Sequence, residues 1–161
     1  LLIYIAVLAI VMTMLVGVFF SINRSRGKVE SQSEVNASLR FAIERIGQDI
    51  KPAQQISTPA AAGNSANNLV INNSGSTLEY CIASNQLRRQ ENGTCNDSSP
   101  TITSDKVKVE NLSFNRIENS NTNFSKVIVG IEVNITISYN ATSPDWQYSA
   151  SKKTTISQKQ W

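Results

Sequence analysis

The residue pair with the clearest capacity for chemistry is Cys81 and Cys95, set in a chain of 161 residues that holds no histidine. Two thiols alone fall short of the three or four protein ligands that a zinc site normally requires. A disulfide between them would stabilise a small sheet by roughly 3 kcal/mol and would require an oxidising compartment. The alternative is two unpaired small residues. If bridged, Cys81 would pin the Asn92 to Asp97 loop, with its Asn92-Gly93 turn, across a sheet edge. Other chemistry finds few residues to work with. Without histidine there is no Ser-His or Cys-His pair, no glycine-rich phosphate loop is present, and the carboxylates are scattered. No enzymatic activity, cofactor or metal site is therefore expected. Asp97 and Asp105 could enter a calcium loop, but a chain this rich in Asn, Asp and Ser produces such pairs by coincidence. Asn92-Gly93-Thr94 and Asn134-Ile135-Thr136 have glycosylation spacing, which counts only in a host that uses it. Net charge is +3, and Lys152, Lys153 and Lys159 near Trp146, Tyr148 and Trp161 make no dense basic stripe. Nucleic acid is not an expected partner.

The elements that would position these residues begin with an uncharged apolar run from Leu1 to Phe20. As an α-helix it rises roughly 30 Å, the thickness of a bilayer's hydrocarbon core. A cleavable signal peptide fits poorly, because the run is too long and leaves into Ser21, Ile22, Asn23 and Arg24 without a small-residue exit. The chain starts without an initiator Met, as expected of a processed or trimmed sequence. Beyond Lys28, Val35, Leu39, Ile43, Ile46 and Ile50 recur at steps of three or four, one stripe of an amphipathic helix. Arg40, Glu44, Arg45, Gln48 and Asp49 lie on the other face; Arg40 with Glu44 and Arg45 with Asp49 are spaced as weak i,i+4 pairs. Pro52 marks the end at Lys51. The chain thus divides into a membrane-spanning helix at 1–20, its amphipathic continuation at 21–51 and a β-rich part at 52–161. Unbroken, the helix is a rod of roughly 75 Å, far longer than an anchor needs.

About 110 residues remain, enough for one modest core. Pro52 to Asn68 reads as a loop rich in Ala, Ser, Asn, Pro and Gly. Leu69 to Ile71 is a short strand, Leu78, Tyr80 and Ile82 line one face of the next, and Ser84-Asn85 turns it into Gln86 to Gln90. Val107 and Val109 fall out of phase with Leu112 and Phe114, which predicts a bulge near Glu110 or Asn111. From Lys126 to Asn140, Val127, Val129, Ile131, Val133, Ile135, Ile137 and Tyr139 hold every odd position of a half-buried strand. Asn140 to Asp145, with Pro144, reads as a hairpin loop, and Trp146, Tyr148 and Ala150 as the start of a return strand reaching Ile156. One helix followed only by strands predicts an α+β fold, the helix's second half laid on an antiparallel sheet.

The opening Leu1-Leu2-Ile3-Tyr4-Ile5-Ala6-Val7-Leu8-Ala9-Ile10 resembles the start of a type IV pilin or type II secretion pseudopilin, just past its processing site. The family's signature is a basic leader ending in Gly, cleaved before Phe-Thr-Leu-Ile-Glu; Leu1 would follow that Glu. The cleavage site, the methylated terminal residue and the assembly carboxylate are absent from this sequence, so no residue inherits their roles. Leu78-Glu79-Tyr80, Gln86-Leu87-Arg88-Arg89 and Lys106 to Phe114 are similar to the sheet of J-type minor pseudopilins. The resemblance implies a single-pass subunit with its domain outside the inner membrane, extruded into a surface or periplasmic filament. Its implied partners are a prepilin peptidase before maturation, an inner-membrane assembly platform, membrane lipid, and other pilins or pseudopilins. Leu1, Leu2, Ile5, Leu8, Val11, Leu15, Gly17 and Phe19 would then exchange lipid for neighbouring helices. Gly17 is expected either to let the helix loosen on assembly or to let two helices approach closely. Arg24, Arg26 and Lys28 oppose this orientation, since the positive-inside rule would place them in the cytoplasm. A single-pass, membrane-anchored ligand-binding or sensory domain is the alternative reading.

Overall fold

The computed structural model describes residues 2–121 and 126–159. A single helix, α1, runs unbroken from Leu2 to Ile50 for 49 residues and stops where Pro52 predicts. Strands follow in chain order: β1 (Gln55–Thr58), β2 (Ser65–Ala66), β3 (Leu69–Asn73), β4 (Ser76–Ala83), β5 (Gln86–Glu91), β6 (Val107–Asn121), β7 (Lys126–Tyr139) and β8 (Ser149–Ser157). They form two antiparallel four-stranded sheets, ordered β1-β3-β4-β5 and β2-β6-β7-β8. The class is α+β as expected, with two sheets in place of the single one.

Local chemistry accounts for most boundaries. Ser84 and Asn85 both take positive φ, 50° and 59°, between the paired Ala83 and Gln86, the two-residue turn whose twist suits a hairpin. The β6–β7 register shifts between Val109 and Asn111, where the change of phase predicts a bulge. Two short strands lie inside the segment expected to be a loop. In β1, Ile56 is buried against its partner Ile71; in β2, Ser65 and Ala66 pair with Asn115 and Phe114. The return strand begins at Ser149, because Pro144 opens a 3₁₀ turn, Pro144–Trp146, that carries Trp146 onto α1.

The core lies between α1 and the second sheet. Val35, Leu39, Ala42, Ile46 and Ile50 from the helix meet Leu112, Phe114, Ile131, Val133, Ile135 and Ile137, and Tyr80 and Leu87 extend the cluster into the first sheet. Arg116 joins the two sheets, donating from Nη1 to the Ile56 carbonyl at 2.8 Å and from Nε to Glu118 Oε1 at 2.6 Å. At the end far from the apolar run, β6 and β7 stay paired out to Asn121 and Lys126, past the last β8 pair at Gly130 and Ser157. Ile117 and Ile128 are exposed on this extension.

Candidate functional site: the helix shared by span and domain

The first half of α1 has no cover. Every side chain described from Ile3 to Phe20 is exposed, on all sides of the helix, and Ile5, Leu8, Val11, Leu15 and Phe19, which share one side, are each about half accessible or more. Soluble surfaces rarely carry apolar patches this large. By length and composition the segment is a candidate single membrane span. Gly17 continues the helix, and a Cβ placed there would meet nothing within 4 Å. Leu1 lies outside the described residues.

The second half carries the predicted stripe. Val35, Leu39, Ile46 and Ile50 are buried as expected, and Ile43 sits half-buried at the margin. Sequence reasoning passed over the small members of the same face: Gly27, Ser31, Ser38, Ala42 and Gly47 are also buried. Their signal was spacing alone, since Gly27, Ser31 and Val35, then Ser38, Ala42 and Ile46, follow at steps of four. Small side chains let the backbone approach the sheet. The buried Ser31 hydroxyl donates to the Lys28 carbonyl at 3.0 Å, so its polarity is satisfied within the helix.

Two sets of contacts fix the stripe at its ends. Near the apolar run, the Trp146 ring lies directly over Gly27: a Cβ there would stand 2.8 Å from Trp146 Cε2 and Nε1. Tyr139 packs on the same indole with ring centroids 5.9 Å apart. Arg24 pairs with Asp145 at 3.6 Å and Lys106 with Glu30 at 3.1 Å. The hydrogen bond to Glu30 raises the Lys106 pKa and so keeps the ammonium charged. These pairs are exposed and contribute little on their own.

At the other end, Asp49 accepts a hydrogen bond from the Tyr80 hydroxyl and one from Arg89 Nε at 3.0 Å, with Arg45 Nε 3.8 Å away. Tyr80 is fully buried; burial first, and then Asp49, push its phenol well above the usual range. Gln158 reaches the Ala53 and Gln54 carbonyls, and the Lys159 amide donates to the Lys51 carbonyl at 2.9 Å. Three separate elements thus hold the last turns of α1.

Cys81 and Cys95 are bonded, with Cα atoms 6.0 Å apart. Glu79 braces the bridge, accepting from the Cys95 amide at 2.9 Å and from Asn68 at 3.0 Å. Other expected residues are not brought together. Asp97 accepts from Ser84 at 2.6 Å and Asp105 from Ser104 at 3.4 Å, and among the described residues no three His, Cys, Asp or Glu side chains are placed to hold a metal. Lys153 pairs with Glu132 at 3.0 Å, and Lys159 sits beside Lys51, at the opposite end of the helix stripe from Trp146. Trp161 lies outside the described residues. No protein-family model, curated protein or solved structure matches the chain.

Proposed function

We propose that this chain is a structural, minor subunit of a type IV-like pilus or type II secretion pseudopilus, assembling through its apolar N-terminal helix. One observation carries the reading: the same unbroken helix is bare and apolar through Phe20 and becomes the core helix of the domain from Gly27. Anchoring alone does not require this, since any linker would serve. A subunit that is pulled from lipid and stacked by its helix does require a rigid join between stem and domain. The disulfide supports a domain on the oxidising side of the membrane, against the cationic flank at Arg24, Arg26 and Lys28. Its partners are then other pilins or pseudopilins, with lipid before assembly and the assembly platform during it.

Cysteines placed singly from Ala6 to Phe19 and crosslinked in cells test the proposal. Ladders or heterodimers with other pilins in the sheared surface or periplasmic fraction are the expected outcome. A protein confined to membranes and free of crosslinks while the assembly machinery runs would favour the tethered ligand-binding module.

A further inference from the structure

The apolar run gives way to polar residues at Ser21 and Asn23, with Ile22 as its last large apolar residue, and the first cation is Arg24. Gly27, the first helix residue buried by the domain, comes five residues after Ile22, a rise of about 7 Å. One polar layer of a bilayer is about 5–7 Å thick. No spacer therefore separates the span from the domain. Whatever covers Gly27 stands at headgroup depth, and Trp146 covers it.

The surroundings fit that depth. Trp146 is half-buried, with one side on Gly27 and another on Tyr139, and the Thr142, Ser143, Pro144 and Asp145 backbone that carries it is exposed. Indole and phenol rings favour the boundary between hydrocarbon and water. On the helix, Arg24, Arg26 and Lys28 are exposed with no acid among residues 21–28. Each lies about 200° around the helix from the one before, so the cations face opposite sides of the stem. The only acid in the Asn140 to Gln147 turn is Asp145, and it is paired with Arg24. Glu30, one turn beyond Arg26, is paired with Lys106, and among the described residues no acid is in ion-pair contact with Arg26 or Lys28. Because α1 is continuous, their depth is set by the span itself.

We propose that the membrane-proximal edge of the domain, the Asn140 to Gln147 turn with Trp146, seats in the phospholipid headgroup layer and that Arg26 and Lys28 hold anionic headgroups there. This rests on the reading of Leu1 to Phe20 as a membrane span.

The test uses the full chain in nanodiscs of phosphatidylcholine with or without phosphatidylglycerol. Trp161→Phe leaves Trp146 as the single indole. A second variant, Val11→Trp with Trp146→Phe and Trp161→Phe, reports on the middle of the span. Trp146 should lose most of its emission to a headgroup nitroxide lipid and little to a mid-chain one, while Val11→Trp is quenched by the mid-chain label. Phosphatidylglycerol should deepen the Trp146 quenching, and Arg26→Gln with Lys28→Gln should abolish that increment. If Val11→Trp is quenched and Trp146 is not, the seating is overturned while the span stands. If Trp146 is quenched equally with and without phosphatidylglycerol, the anionic contact is overturned. An unquenched Val11→Trp would overturn the span and the seating together.

Discussion

Between Ile3 and Phe20 every side chain of α1 is exposed, whereas from Gly27 to Ile50 a buried residue returns at intervals of three or four positions along one side. Backbone geometry is the same in both halves, so the contrast comes from side chains alone. The first half is apolar in all directions and, among the described residues, is covered by nothing from the domain; the second confines burial to one stripe and gives much of it to small residues. A helix segment apolar all round is built for a non-aqueous surround, and a striped one for a single sheet. Joining them without a break ties the domain's position to that of the apolar half.

The contrast breaks most visibly under truncation of an apolar side chain. Ile46→Ala should cost about 2–5 kcal/mol of domain stability, because the sheet around a fully buried isoleucine collapses only in part. Leu8→Ala should leave the unfolding midpoint of the detergent-solubilised chain unchanged, since no residue of the domain covers it. Equal losses in guanidinium titrations of the two variants would show that the halves are energetically coupled.

The two glycines sharpen the comparison further. Gly27→Ala should destabilise the domain by about 1–3 kcal/mol and shift Trp146 emission, because the new methyl lands on the indole. Gly17→Ala meets nothing and should strengthen the helix by about 1 kcal/mol without touching domain stability. Opposite signs for the same substitution in one helix would separate packing from propensity.

The smallest expected effect is alkaline. The Tyr80 phenol is held above its ordinary value of 10.0 in the folded chain, so the unfolded chain releases this proton first. Stability from this group is fully present below pH 10 and falls as pH rises above it, by about 1 kcal/mol over the first unit. Comparing Tyr80→Phe with the parent across pH 9 to 11 checks this. A parent whose stability falls no faster than the variant's would mean that Asp49 and burial do not hold the proton.

Long periodic segments were legible in the sequence. The helix, its large stripe residues, the β4–β5 turn, the bulge and β7 all follow from spacing, because many side chains repeat the same instruction. β1 and β2 were not, since a four-residue and a two-residue strand in a polar segment are set by β3 and β6 rather than by their own propensity. Trp146 misled because alternation with Tyr148 and Ala150 imitates a strand, whereas the notch at Gly27 decides its place. The contacts of Asp49 with Tyr80 and Arg89 join residues from three elements, and nothing local announces them. Cys81 and Cys95 left two states open until their separation was known.

The pairing of β8 with β7, and its packing on α1 where Ile156 approaches Gly47, also sets an order of events. β8 lies far beyond α1 along the chain, yet it packs on the helix, and the Lys159 amide donates to the carbonyl of Lys51. Contacts so distant in sequence form late, after a large loop has been gathered. Until β8 arrives, the far end of the helix stripe has no lid and Gly47 faces open space. Closing the domain over α1 is therefore the step that needs the longest stretch of chain already gathered, and a helix whose β8 has not yet paired keeps its apolar stripe open at that end.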